Sequence, residues 1–224
     1  MADYGAMILM DNGNPFVTPQ STPFCLYRKV VVDSVAGGTA HGASASIPLD
    51  ASYPAIAFCR TSDTAQPTYV SAIRSGSNIM VGSGNPYGQA HRLTAYIFAI
   101  FPQTLPQWGF AIWDVAGQLV LTNESRVLSD LVTIGTPGSN GGINIDQTLS
   151  GSYAVCPGIL GSTLIQVMVQ GQPQVIAATA YTGCRYNGST SRISAASSSN
   201  ASGSVVGNTN NGNAIIAIKT DAYD

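Results

Sequence analysis

The sequence predicts an all-β protein made of two tandem β-sandwich-like modules, and three observations lead there. The first is composition. Only 9% of the 224 residues are charged while 45% are hydrophobic, so the chain has the apolar content for a core and lacks the high net charge of a disordered polymer. Surface helices fill their exposed faces with Glu, Lys, Gln and Arg. Here there is one Glu (Glu124) and there are two Lys (Lys29, Lys219), against abundant Gly, Ser, Thr, Ala and Val. The second is punctuation: short apolar runs alternate with Gly, Pro, Asn and Ser clusters, the spacing of a sandwich or barrel and not of βαβ units. The third is repetition.

Tyr4-Gly5-Ala6-Met7-Ile8-Leu9-Met10-Asp11-Asn12-Gly13 returns as Trp108-Gly109-Phe110-Ala111-Ile112-Trp113-Asp114-Val115-Ala116-Gly117. Three further anchors follow in the same order. Ser52-Tyr53 matches Ser152-Tyr153, the run from Thr68 to Gly76 matches Thr163 to Gly171, and Ile97-Phe98-Ala99-Ile100 matches Ile215-Ile216-Ala217-Ile218. The offset between copies is steady until the last anchor, where it jumps by roughly twenty residues, the size of an insertion before the last strand. Cys59-Arg60 and Cys184-Arg185 also match, but they break the order and are set aside. Pro102 to Gln107, with two prolines that cannot continue a ladder, marks the junction. The modules are therefore placed at residues 1–103 and 104–224.

Taken in order, residues 4–10 form an apolar strand, Asp11-Asn12-Gly13-Asn14 a turn suited to Asn-Gly, and Pro15–Thr18 the return strand. Strands are expected next at Leu26–Asp33, Ala55–Cys59, Tyr69–Arg74, Ile79–Val81 and Leu93–Phe101. In the second module the pattern gives Phe110–Trp113, a turn at Asp114–Gly117, and a return to Leu121. Val127–Ile134, Tyr153–Cys156, Thr163–Val169, Gln174–Thr182 and Ala214–Lys219 follow. The closing strands Tyr96–Phe101 and Ile215–Ile218 are continuously apolar, which suits central strands covered on both faces. Gly188 to Gly212 is low in complexity and reads as an irregular insertion with room for a short hairpin around Ile193, Val205 and Val206.

Composition and motifs narrow the chemistry. A net charge of −2 with seven scattered Arg argues against nucleic acid as a partner, which demands a clustered basic surface. No signal-peptide pattern opens the sequence, and no run approaches the ~20 apolar residues of a membrane helix, so synthesis in the cytoplasm is expected. Cys25, Cys59, Cys156 and Cys184 are then reduced and buried, with Cys25–Cys59 or Cys156–Cys184 bridges as the alternative after release from a cell. None has CxxC spacing, and neither His41 nor His91 has a second ligand nearby, so no metal or cofactor is expected. The histidines read as loop or strand-end residues, and no GxSxG motif supports a hydrolytic triad. Gly82–Gly88 and Gly135–Gly142 lack the lysine of a phosphate loop and read as turns. What remains is polar and aromatic surface. Tyr87 and Tyr186 are expected in Gly/Asn-rich loops, where tyrosine offers a rigid face with a polar tip. With Arg185 and Asn187 they form the candidate binding set, while Tyr4, Gly5, Gly13, Trp108, Gly109, Asp114 and Gly117 form the structural hairpin set.

At Trp108 to Val120, and less closely at Tyr4 to Phe16, the aromatic-Gly, strand, Asp-x-x-Gly turn and return strand resemble a family of small β-rich tail proteins of tailed bacteriophages. The resemblance covers about a third of the chain. It implies a non-enzymatic structural virion component of a tail tip or tail fibre, partnered by other tail subunits, forming a homo-oligomer and contacting a bacterial surface receptor or glycan. The chain departs from that pattern in carrying two copies, the first with Met10-Asp11-Asn12-Gly13. A stand-alone carbohydrate-binding, lectin-like module is the alternative, and a hydrolase of cell-wall sugars a distant third.

Overall fold

The computed structural model describes residues 22–224, and before them only the backbone of two short strands. Those strands, β1 (Ile8–Leu9) and β2 (Pro15–Val17), form a two-stranded ribbon. The first half continues with β3 (Cys25–Asp33), β4 (Val35–Gly37), β5 (Ala40–Pro48), β6 (Ala55–Ser62), β7 (Tyr69–Ser75), β8 (Asn78–Asn85) and β9 (Arg92–Ala99). The second half opens on another ribbon, β10 (Ala111–Trp113) and β11 (Leu119–Thr122). It continues with β12 (Leu131–Ile134), β13 (Asp146–Ser150), β14 (Tyr153–Val155), β15 (Ile159–Val169), β16 (Gln172–Tyr186), β17 (Thr190–Ser197), β18 (Ser204–Asn210) and β19 (Ile215–Lys219). The fold is all-β. Among the described residues the only helical piece is the short 3₁₀ turn Gly142–Asn144, and no helix is long and apolar enough to cross a membrane.

The two halves follow one pairing scheme. In the ribbons Ile8 faces Val17 and Leu9 faces Pro15, while Ile112 faces Leu121 and Trp113 faces Leu119, so the register slips at the same repeat position in both. β9 lies between β3 and β6, and β19 lies between β12 and β14. Ala55 faces Ala99 in the first half, and Val155 faces Ala217 at the corresponding place in the second. β7–β8 and β15–β16 are tight hairpins at the third anchor. Where β5 pairs directly with β8, the second half interposes β17 between β13 and β16 and adds β18 outside β15.

The insertion at 188–212 is thus corrected from an irregular loop to two strands, and they do not pair with each other. Ser, Asn and Gly carry no β-branched signal, but small residues fit between two flanking strands, and β17 buries Ser191, Ile193 and Ala196 there. The same blindness hid β5, a run of Ala, Gly and Ser alternating about His41, and Gly82–Asn85, which extends β8 beyond the expected turn. Conversely, only Leu131–Ile134 of the expected Val127–Ile134 strand joins β19. Val127 instead bridges to Cys25.

Two separate sandwiches are not confirmed, because sheet and core cross residue 103. Val155 of β14 faces Cys59 of β6, Gly183 of β16 faces Tyr69 of β7, and Arg185 and Tyr186 run parallel to Thr61 and Ser62. The Cys-Arg dipeptides set aside in the sequence therefore sit on neighbouring strands at the junction. Phe24–Leu26 and Arg126–Leu128, which follow the two ribbons, also pair: Leu26 N–H donates to the Arg126 carbonyl and Leu128 N–H to that of Phe24, both at 2.8 Å. One buried cluster contains Val70, Val81 and Ile97 of the first half with Ile134, Leu160 and Ile193 of the second. All four cysteines are free thiols. Burial pushes Cys25 up to about 11 and Cys184 up to about 12.

Candidate binding site

β16 carries its last residues to the seam between the halves, and three of the four candidate binding residues lie there. Arg185 and Tyr186 are on the strand itself, not in a loop, and Asn187 begins the turn to β17. The Asn187 carboxamide oxygen accepts the N–H groups of Ser189 and Thr190 at 2.9 and 2.8 Å, which closes the turn. Asn187-Gly188 is a hairpin signal, and it fixes the register that places Arg185 opposite Arg192.

Two clefts flank this strand end. On one side Arg185, Arg192, Asn187, Thr148, Thr190 and Asp63 line a polar cleft of about 340 Å³. Arg185 is 6% exposed, and its guanidinium donates to the Thr64 carbonyl. Burial first, and then the neighbouring Arg192 charge, lower its pKa. Arg192 is held by Asp146 through two hydrogen bonds of 2.8 and 2.7 Å. On the other side Lys29, Arg60, Arg92 and Tyr186 line a cleft of about 290 Å³. The Arg60 guanidinium lies 4.8 Å from the Tyr186 ring centre, a cation–π contact. Four of the seven arginines, Arg60, Arg92, Arg185 and Arg192, are thus gathered at one seam. Only the Arg185–Arg192 pair had a readable signal, the Asn-Gly turn between them. Tyr87 lines neither cleft; it sits exposed in the turn after β8, its N–H bonded to the Asn85 side chain at 3.0 Å.

A third groove, of about 540 Å³, lies over β5 and β8. Its floor is small (Gly42, Ser44, Gly82, Gly84), and its wall is Tyr69, whose ring stacks on Tyr181 at 5.2 Å between centres. A Cβ at Gly84 would collide with the Tyr69 ring, so the flat floor is what admits the tyrosine.

The hairpin set divides at the boundary of the described residues. Tyr4, Gly5 and Gly13 lie outside them. In the second copy Asp114 builds the turn: its carboxylate accepts the Ala116 and Gln118 N–H groups at 2.9 and 2.8 Å, and Gly117 adopts φ +78°. Gly109 has φ +125°, and a Cβ there would strike the Asn123 side chain. Trp108 is 85% exposed and Val115 83% exposed, with Phe110 and Trp113 also exposed between them, while β11 packs Leu119, Val120 and Leu121 inward.

The histidines lie at strand ends, as the sequence suggested: His41 is the second residue of β5 and His91 immediately precedes β9. The His41 Nδ1 lies 3.3 Å from the Ser34 hydroxyl. His91 is buried, with Nδ1 3.1 Å from the Gln89 carbonyl and Nε2 2.8 Å from the Ser83 hydroxyl. Donation from Nδ1 to the carbonyl leaves Nε2 to accept from Ser83, the polarity of a serine–histidine pair. However, Ser83 is interior to β8, between β5 and β7, with its backbone in both ladders. It alternates with Val81 on the buried side of the strand, and burial lowers the His91 pKa. The pair satisfies two buried polar groups. Among the described residues no group of three or more His, Cys, Asp or Glu could hold a metal ion. No protein-family model, no curated protein and no solved structure matches the chain.

Proposed function

We propose that this chain is a non-enzymatic structural subunit of a bacteriophage tail, at the tail tip or in a tail fibre, that assembles with other tail subunits. The observation that carries the reading is the exposed apolar run of the second ribbon, Trp108, Phe110, Trp113 and Val115. Contiguous exposed aromatics mark interaction surfaces, and aromatic residues dominate the buried centres of interfaces. The resemblance of this ribbon to tail proteins supports the same assignment, as do edge strands such as β4, which present free backbone for pairing with a neighbour. In this reading the ribbons are the assembly elements and the sandwich strands their support.

Mass spectrometry of purified virions of the encoding phage tests the location: the chain is expected in tail fractions, and its absence from particles sinks the assignment. Light scattering of the purified chain tests the interface. Trp108→Ser with Val115→Ser is expected to abolish self-association or co-assembly while leaving Tm unchanged, because neither side chain is buried in the chain alone. A second reading, a carbohydrate-binding module acting alone, is favoured by the Tyr69 groove. Glycan-array binding by a monomer, lost in Tyr69→Ala, would select it.

A further inference from the structure

Arg185 is the one Lys, Arg, Asp or Glu side chain that is buried among the described residues. No carboxylate oxygen of those residues lies within the 4.0 Å of an ion pair with it. Its neighbours make this costly. Register places Thr148 beside Arg192, Arg192 beside Arg185, and Arg185 beside Thr61, so two cations stand directly opposite one another on adjacent strands, an arrangement that destabilises a sheet. Asp146 bonds Arg192 through both carboxylate oxygens and reaches Arg185 only through its field. Asp63 lines the same cleft but is exposed and lies beyond ion-pair distance. A desolvated guanidinium with one carbonyl partner keeps unused N–H donors, and those donors border a cleft edged by the hydroxyls of Thr148 and Thr190 and the amide of Asn187.

We infer that this cleft is a binding site for an oxyanion, the carboxylate or phosphate group of a sugar-sized polar ligand. The guanidinium fork takes the oxyanion in paired, charge-assisted hydrogen bonds, and the threonine hydroxyls and Asn187 meet the polyol. The bound anion supplies the counter-charge that the sheet leaves out. The site stands independently of the ribbon interface and of any place in a tail.

Isothermal titration of the full chain with glucuronate, glucose 6-phosphate, inorganic phosphate and glucose tests this. Saturable binding of either acidic sugar, without binding of glucose, is the expected result. Inorganic phosphate binding as tightly as glucose 6-phosphate assigns recognition to the oxyanion alone, whereas a preference for glucuronate assigns it to a carboxylate. Arg185→Met is expected to weaken binding about tenfold or more, the loss of one charge-assisted contact. Thr148→Glu, at an exposed strand position, sets a carboxylate in the cleft and lowers affinity to a similar degree without disturbing the core. Asp63→Asn raises it. Absence of saturable binding by all three anions, equal binding of glucose, or unchanged affinity in Thr148→Glu overturns the site.

Discussion

Phe98 in the first half and Ile216 in the second occupy matching places in matching strands, yet Phe98 is fully buried and Ile216 is 46% exposed. Both strands are central, each hydrogen-bonded on two sides, and the stretches around both residues are continuously apolar. What differs is the cover. The tail of the chain folds back over Phe98 and the neighbouring ends of both halves. The Tyr223 ring meets Phe98 edge to face at 4.9 Å between centres, and its hydroxyl donates to the Val127 carbonyl at 2.8 Å. Phe58, Tyr96, Phe98, Ala154, Ile218 and Tyr223 thereby form a second buried cluster. Nothing equivalent closes over Ile216 among the described residues. A repeat conserves strand order and register, and it leaves burial to whatever segment happens to lie across each copy.

That contrast can be broken most forcefully at the paired positions. Phe98→Ala is expected to cost about 3–5 kcal/mol, the range for truncating a buried aromatic, whereas Ile216→Ala costs less than about 1 kcal/mol because much of its surface already meets water. Urea denaturation of both variants measures the difference, and equal losses would show that the two strands are covered alike. The strands peculiar to the second half give the next test. Ile193→Ala in β17, at a fully buried site, is expected to lose about 2–4 kcal/mol, and Val205→Ala in β18, 65% exposed, to stay within about 0.5 kcal/mol. β17 is then an integral part of the shared core and β18 an edge addition.

Smaller effects sharpen the role of the tail. Tyr223→Phe removes the hydroxyl that accepts the Ser129 N–H at 2.8 Å and donates to Val127. A loss of about 1 kcal/mol by thermal melting is expected, smaller than truncating the ring. The least effect belongs to Asp224. Burial works to raise its pKa, but hydrogen bonds from Lys29, Tyr96 and Thr220 and the Arg60 charge prevail and hold it down at about 2. A depressed carboxylate stabilises the fold fully above its ordinary value of 3.8, and that contribution disappears as pH falls toward about 2. Asp224→Asn should therefore lower Tm at neutral pH and converge with the unaltered chain in acid. A difference that persists below pH 2 would point to packing instead of charge.

Much of the strand plan was readable because it is local. β3, β6, β7, β9, β15 and β19 are dense in Val, Ile, Leu, Tyr and Phe, and turns such as Asp114–Gly117 announce themselves through side chains that bond their own backbone. β5, β17 and β18 were unreadable for the converse reason. Their Ala, Ser, Gly and Asn residues are strands because neighbours offer backbone partners on one or both sides. The candidate site was legible only in part. Arg185, Tyr186 and Asn187 stood out as a polar cluster, but Arg192, Thr148 and Asp63 arrive from strands whose register the sequence does not state. Tyr87, chosen on the same grounds as Tyr186, shares neither of the clefts beside β16.

By itself the sequence determined the all-β class, the doubled ribbon and the place where the copies diverge, because propensity, turn chemistry and repetition act over a few neighbouring residues. Only the tertiary structure decided that the halves share a core across residue 103, that Tyr223 covers Phe98 and leaves Ile216 open, and that Arg185 is buried opposite Arg192 without a carboxylate within ion-pair distance. Burial and charge pairing depend on contacts between segments far apart in the chain, and those are fixed by register and packing once the strands have met.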